Sequence, residues 1–181
     1  ESDTASFSFP SGSIIESSDG AIYACGTAYP DGSTAKTRVV KISSIGEIVW
    51  DKTFSETSSD EIFPELIATN DGGLLLGNDS YSYPIQENDT IQDILVRKID
   101  SDGNLIWSNV YPARNFRDMT QTKNGDILLT GTIHEAQYNV GLDVFVHKID
   151  MARGAQIEFF VSLFDGPPTY PPTYPPTNAH Y

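Results

Sequence analysis

Cysteine, basic residues and long apolar runs are all scarce in this chain of 181 residues, and each scarcity excludes something. Cys25 is the single cysteine, so no disulfide forms within the chain. The 11 Lys and Arg residues against 25 Asp and Glu give a net charge of -14, which repels nucleic-acid phosphates and anionic lipid headgroups. This charge predicts no nucleic-acid partner, and because the apolar runs are only a few residues long, we expect no membrane span.

Motifs of catalysis and cofactor binding are also missing. The sequence contains no Gly-x-Ser-x-Gly, no phosphate-binding loop and no dinucleotide fingerprint, and its histidines lack metal-ligand spacing. Residues 100–104 resemble the start of a calcium loop, but Tyr111 stands where that loop requires Glu, which favours a plain turn. We therefore predict a protein that is not an enzyme and has no cofactor, with covalent glycans as its non-protein groups and at most weak Ca²⁺ binding.

What the chain does contain is an internal repeat of about 50 residues, present three times. Each unit has an Asp-Gly or Asn-Gly turn, then an apolar stretch, then a lysine followed by isoleucine. The turn glycines are Gly20, Gly72 and Gly125, and the lysines are Lys41, Lys98 and Lys148. We expect the lysines to pair with neighbouring carboxylates such as Asp100 and Asp150.

Each unit holds four short segments rich in β-branched, aromatic and leucine residues, separated by tight turns. Such segments are typical of antiparallel strands, and no stretch of helical length has a 3.6-residue apolar period. The predicted strands are 13–17, 21–28, 37–43 and 47–54, then 65–69, 73–78, 93–100 and 104–111, then 116–122, 126–133, 143–150 and 155–163, with a short extra candidate at 6–9. On this basis His147 is expected on a strand surface.

The second unit carries the most specific pattern, Asp-Gly-Gly-Leu-Leu-Leu-Gly from Asp71 and then Asp-Ile-x-Val-x-Lys-Ile-Asp-x-x-Gly-Asn-x-x-Trp ending at Trp107. This pattern resembles the β-propeller repeat of secreted and surface-anchored microbial proteins over residues 12–163. The resemblance implies an all-β, propeller-like fold of three four-stranded antiparallel units and an extracellular or cell-surface location. Because propellers close with four to eight blades, a β-trefoil or β-prism stays open as the alternative.

Tryptophan recurs at the end of the first two units, as Trp50 and Trp107. Packing in the core or between blades explains both residues without a cofactor. The third unit departs from the pattern, since Ile157 or Glu158 stands at this position.

The last residues repeat Thr-Tyr-Pro-Pro and hold six of the 11 prolines, Pro167, Pro168, Pro171, Pro172, Pro175 and Pro176. Paired prolines predict an extended polyproline II tail, which reaches roughly 45 Å over fifteen residues. The tract resembles the tetrapeptide repeats of extracellular glycofibrils and hydroxyproline-rich glycoproteins. That resemblance implies hydroxylated prolines and O-glycans on Thr169, Thr173 and Thr177. A plain linker or a partner-binding peptide is the alternative.

Two Asn-x-Ser/Thr acceptors add candidate N-glycosylation sites, at Asn78 and Asn88. They lie on either side of one polar loop in the second unit. In a chain with extracellular features, both are predicted to carry glycans.

The sequence therefore divides into an N-terminal segment, 1–11, a repeat domain, 12–163, with units at about 12–54, 64–111 and 116–163, and a tail, 164–181. Because the chain begins at Glu1 without Met, we expect a processed or partial polypeptide. Unpaired strand edges invite strand addition from another copy. The residues predicted to mediate this assembly are Phe7, Phe9, Ile157, Phe159, Val161, Leu163, Tyr170 and Tyr174.

These observations predict a structural subunit of an extracellular, glycosylated filament or surface appendage that assembles head to tail with itself. The alternative is a glycan- or protein-binding propeller or trefoil module of a larger secreted protein. In that case the loops 29–36, 79–90 and 134–142 are expected to lie on one face.

Overall fold

A computed structural model describes residues 7–55, 57–82, 91–112, 114–133 and 143–162, which form twelve strands and no helix. The strands are β1 (Phe7–Glu16), β2 (Ile22–Ala28), β3 (Lys36–Ile42), β4 (Ile48–Phe54), β5 (Asp60–Ala68), β6 (Leu74–Ser82), β7 (Ile91–Ile99), β8 (Leu105–Tyr111), β9 (Arg114–Gln121), β10 (Ile127–Ile133), β11 (Asp143–Ile149) and β12 (Gln156–Ser162). The predicted all-β class is confirmed.

The strands form three four-stranded antiparallel sheets, and each sheet contains four consecutive strands in chain order. We call them sheet 1 (β1–β4), sheet 2 (β5–β8) and sheet 3 (β9–β12). The predicted glycine turns connect the first two strands of every sheet, where Gly20, Gly72 and Gly125 have φ values of 79°, 82° and 92°. A positive φ suits glycine because it has no Cβ. This propeller-like arrangement of three meanders agrees with the predicted fold class.

The first strand of each sheet is longer or more irregular than the sequence predicts. The separate predicted segments 6–9 and 13–17 join into β1 across an irregularity between Ser8 and Ser13. Strand β5 begins at Asp60 and contains a bulge between Ile62 and Glu65. Pro64 lies inside this bulge, where its missing N–H costs no ladder hydrogen bond. A proline and an interrupted alternation therefore hid the first half of β5.

Two apolar clusters fill the spaces between the sheets. Between sheets 1 and 2 the buried residues are Ala21, Tyr23, Cys25, Val39, Phe54, Leu66, Leu74, Leu76 and Ile99. Between sheets 2 and 3 they are Leu75, Ile94, Val96, Tyr111, Phe116, Met119, Ile127, Leu129, Phe145 and Ile149. Because side chains alternate along a strand, each sheet has a front face, turned toward the preceding sheet, and a back face, turned toward the following one. In sheet 2, for example, Leu74 and Leu76 lie on the front face and Leu75 on the back face.

Candidate functional site

The junction between sheets 1 and 2 is closed by a tryptophan that binds a turn of the next sheet. Trp50 on β4 donates its Nε1–H to the carbonyl of Ser101, at 3.2 Å, in the β7–β8 turn. Two residues further along β4, Lys52 Nζ donates to the carbonyl of Asp102 at 2.7 Å. The ring lies over Gly103, where an added Cβ would stand 3.1 Å from the indole. Indole, amine and glycine together form what we call the tryptophan clamp.

The same clamp recurs between sheets 2 and 3. Trp107 on β8 donates its Nε1–H to the carbonyl of Met151 at 2.9 Å, and Asn109 donates to the carbonyl of Arg153 at 3.1 Å. Gly154 lies under this ring, and an added Cβ there would stand 2.8 Å from it. Of the two predicted packing roles, in the core or between units, the structure shows the second, because each tryptophan packs on the next sheet.

A buried ion pair lies in the first junction, and no sequence pattern predicts it. Arg97 on β7 and Glu61 on β5 are both fully buried, and Arg97 Nη2 lies 2.6 Å from Glu61 Oε1. The carboxylate also accepts hydrogen bonds from the Thr37 amide, at 3.2 Å, and the Thr57 hydroxyl, at 2.7 Å. These partners satisfy the pair in a site that excludes water, so its role is structural.

His147 takes the position of Arg97 in the second junction, and its predicted surface location is wrong. Its side chain is 2% exposed and meets the ring of Phe145 edge-on at 4.8 Å. Burial lowers the pKa of His147 to about 4, so the imidazole is neutral at pH 7. His147 lies on the front face of sheet 3, and because this face packs on sheet 2, a residue of surface-like type is buried in the core.

Two of the three recurring lysines bind carboxylates, but these are not the predicted Asp100 and Asp150, and Lys41 donates instead to the carbonyl of Ser101. Lys98 Nζ lies 2.8 Å from Asp71, and Lys148 Nζ lies 3.3 Å from Asp126, so both lysines reach the first turn of their own sheet. Asp100 instead accepts hydrogen bonds from the backbone amides of its own turn. Those bonds agree with the plain-turn interpretation of the calcium-like stretch.

A cleft of about 560 Å³ opens where the first strands of the three sheets approach one another. It is lined by Ser13, Ile14, Phe63, Pro64, Glu65, Asp79, Asn115, Phe116 and Arg117. Phe63 and Asn115 have φ values of 55° and 49°, which are unusual for residues other than glycine. Both residues lie at or beside bulges of β5 and β9. Such bulges re-aim side chains, and here they turn the exposed Phe63 ring toward the cleft.

Glu65 is the titratable group most affected by this cleft. Partial burial, followed by the charge of Asp118 on β9 and a hydrogen bond to it, raises the pKa of Glu65 to about 7. Burial also raises the pKa of Asp79.

The front face of sheet 1 is open. By register it carries Ile14, Ile22, Ala24, Val40, Ile42 and Ile48. The equivalent residues of sheet 2 include Leu74, Leu76 and Ile99, which are buried against sheet 1. In sheet 1, by contrast, Ile14 is 71% and Ile48 is 68% exposed, so nothing in the described chain covers them.

The back face of sheet 3 is open as well. Val146 and Lys148 lie on it and are partly exposed, while their equivalents in sheet 2, Val96 and Lys98, are buried. Among the described residues, two sheet faces are thus uncovered, the front face of sheet 1 and the back face of sheet 3.

Asn78 is a wrong prediction as a glycosylation site. Its side chain is 0% exposed, and its Nδ2 donates to the carbonyl of Asp79 at 3.0 Å. A glycan on that nitrogen has no room in the folded sheet. Asn88 lies outside the described residues.

The predicted assembly residues fall on two sheet edges. Phe7 and Phe9 belong to β1, and Ile157, Phe159 and Val161 belong to β12, the outer strands of sheets 1 and 3. Leu163 and the whole tail, with Tyr170, Tyr174, Thr169, Thr173, Thr177 and its prolines, lie outside the described residues. The predicted loop 134–142 does too, as do residues 83–90 of the predicted loop 79–90, whose first four residues belong to β6 instead of a loop.

The cleft is the feature that sequence reasoning missed, although a signal for it was present. Ser13, Glu65 and Asp118 each stand seven residues before the turn glycine of their unit. Aligning the units on those glycines places the two acids at the same point of neighbouring first strands. The bulges that bring them together leave no comparable signal.

Comparisons with known proteins add no family. The sequence matches no protein-family model, and no curated protein shows significant similarity to it. In the described parts of the chain, no group of three or more His, Cys, Asp or Glu side chains is placed to hold a metal ion. Nor do these parts contain a helix long and apolar enough to cross a bilayer.

Proposed function

We propose that this chain is a structural subunit of an extracellular, glycosylated filament or surface appendage that assembles head to tail. The front face of sheet 1 in one copy packs on the back face of sheet 3 in the next copy. The contact continues the stacking already seen twice within the chain.

The observation that carries this proposal is the apolar character of the open front face. Terminal units of repeat proteins normally have a polar outer face, because nothing covers them. Here the terminal unit keeps Ile22, Val40 and Ile42 and adds the exposed Ile14 and Ile48. A surface of this kind is typical of an interaction site.

The complementary face has the residues needed to cover it. Val146 occupies on sheet 3 the position that Val39 and Val96 occupy on the back faces of sheets 1 and 2. Because the two open faces differ, their contact is heterologous, and it propagates into a fibre when its rotation does not close a ring. Edge pairing through β1 and β12, and the tail as connector, are further contacts that we propose for the same fibre.

The acidic charge sets the conditions for assembly. Each copy carries a net charge of -14, so copies repel one another at low ionic strength. Salt screens this repulsion, with a Debye length of about 8 Å at 0.15 M. We expect association to strengthen as salt is raised from 10 to about 200 mM.

Sedimentation velocity over a range of concentrations tests the proposal. The wild-type chain is expected to form a ladder of species larger than a dimer, and Ile14→Lys is expected to abolish it. Val110→Lys is the matched control, because Val110 is 51% exposed but belongs to sheet 2. A monodisperse monomer at every concentration and salt level contradicts the proposal.

The extracellular and glycosylated parts of the proposal have a separate test. Mass spectrometry of the native protein is expected to find hexose-bearing Thr169, Thr173 or Thr177 and hydroxylated prolines in the tail. Unmodified tail peptides would remove the glycoprotein part and leave head-to-tail stacking untouched.

The cleft supports a second candidate function, glycan binding. Its exposed Phe63 ring beside the Glu65 and Asp79 carboxyl groups combines an apolar platform with hydrogen-bonding groups, as ligand pockets do. A glycan array probed with wild type and Phe63→Ala tests it. Saturable binding that Phe63→Ala removes would favour this function.

A further inference from the structure

The turn between the third and fourth strands ends on a glycine in all three sheets. The amides of Gly46, Gly103 and Gly154 donate to the carbonyls of Ser43, Asp100 and Asp150 at 2.9, 3.0 and 2.8 Å. All three glycines have a positive φ, of 87°, 73° and 65°. Sheet 1 therefore presents the same four-residue glycine turn that binds Trp50 in sheet 2, and the turn that binds Trp107 in sheet 3 differs from it by one additional residue.

In sheets 2 and 3 this turn is filled, and in sheet 1 it is open. The indoles of Trp50 and Trp107 lie over Gly103 and Gly154 and donate to turn carbonyls. At Gly46 no described atom lies within 4 Å of an added Cβ, and the adjacent Ile45 is 79% exposed. The turn is continuous with the open front face of sheet 1.

A second copy of this chain does not supply the missing indole. In sheet 3 the residue paired with Lys148 is Glu158, whereas Lys41 and Lys98 pair with Trp50 and Trp107. Two residues later stands Phe160, at the register position of Lys52 and Asn109. Neither a carboxylate nor a phenyl ring donates a hydrogen bond to the turn carbonyls.

We infer that the turn 43–47 is a docking site for a β-strand of another protein that carries Trp-x-Lys or Trp-x-Asn. The indole covers Gly46 and donates to a turn carbonyl, and the Lys or Asn donates to a second one, as in both internal junctions. Such a partner also covers the apolar front face of sheet 1. In an assembly of copies it would end or anchor the stack, because it holds the face more tightly than a copy does.

The test uses this chain itself as the probe, with a tryptophan clamp built into sheet 3. The donor is Ile14→Lys/Glu158→Trp/Phe160→Asn, whose own front face is blocked, and the reference donor is Ile14→Lys. The acceptor is Val146→Lys, whose back face is blocked, so that only one junction can form. Sedimentation velocity or titration calorimetry then gives the dissociation constant of each pair.

The decisive comparison is on the acceptor side. Gly46→Asn places a side chain where the indole would lie, and Asn tolerates a positive φ. Gly32→Asn is the matched control, because Gly32 also has a positive φ, of 78°, and no described atom within 4 Å, but it lies between β2 and β3. Thermal melts establish that every variant is folded.

We expect the clamp donor to bind the acceptor about tenfold more tightly than the reference donor does, roughly the effect of one good hydrogen bond plus ring contact. The gain should persist with Gly32→Asn and vanish with Gly46→Asn. Equal affinities, or a gain that survives Gly46→Asn, overturn the inference. If the clamp donor melts early, Ile14→Lys/Glu158→Trp replaces it, with a gain of about threefold expected. If the reference donor does not bind, only the proposed self-assembly is contradicted. The docking site at the turn 43–47 is tested by the clamp donor alone, so the two proposals can fail independently.

Discussion

Glu65 and His147 give this protein two opposite responses to pH at the scale of single residues. The raised pKa of Glu65 means that the folded state binds this proton more tightly than the unfolded chain does. That contribution to stability is complete below about pH 4.5 and is lost as the pH rises through about 7. The lowered pKa of His147 works the other way, and its contribution is lost as the pH falls from 6.5 toward about 4.

Glu65→Gln separates the two effects. The variant should be more stable than wild type at pH 8, by about 1 kcal/mol after allowance for the partial exposure of the site, and nearly equal at pH 4.5. Urea denaturation at the two pH values measures the difference, and His147 cancels because both chains contain it. Glu47→Gln, on an exposed turn, is the control. A variant less stable than wild type at pH 8 would contradict the raised pKa of Glu65.

The buried and exposed arginine pairs allow a second comparison between residues. Arg97→Met leaves the Glu61 carboxylate buried without its charge partner, which should cost 3–5 kcal/mol. Arg38→Met breaks the partly exposed pair with Asp51, which should cost about 1 kcal/mol or less. Guanidinium denaturation measures both. Similar losses for the two variants would show that the Arg97 pair does not hold the sheet junction.

At the scale of elements, the tryptophan clamp makes glycine turns differ in their tolerance of a side chain. Gly154→Ala adds a Cβ 2.8 Å from the Trp107 ring as well as strain from a positive φ. Gly46→Ala adds the strain alone. We expect Gly154→Ala to lose about 2 kcal/mol more than Gly46→Ala in thermal or denaturant unfolding. Equal losses would mean that the Trp107 ring moves away from the added Cβ without a loss of stability.

The strands show how far sequence can predict this fold and where it stops. Turn glycines and alternating apolar residues gave the three units and most of the strands, because both signals act locally. The first half of β5 and the carboxylates that pair with Lys98 and Lys148 were not predicted. Both depend on contacts between segments distant in sequence or on a bulge around Pro64, for which a local pattern carries no information. The buried Arg97 pair belongs to the same class.

At the scale of the whole molecule, the described residues form three sheets, and the two outward faces that these residues leave uncovered differ from each other. The internal repeat explains the two uncovered faces. Sheet 2 is covered on both faces by its neighbours, whereas sheets 1 and 3 each have one neighbour within the described chain. The exposed front face of sheet 1 keeps the apolar residues that the inner sheets bury. The net charge of -14 makes copies of the chain repel one another, which opposes non-specific association through that face.

The central claim, that the front face of sheet 1 packs on the back face of sheet 3, is tested most directly by mixing two blocked variants. Ile14→Lys retains only the back face of sheet 3, and Val146→Lys retains only the front face of sheet 1. Each variant alone should sediment as a monomer. Their equimolar mixture should form a one-to-one dimer and nothing larger, because one intact junction remains. Assembly of either variant alone, or a mixture that stays monomeric while wild type polymerises, would contradict the account.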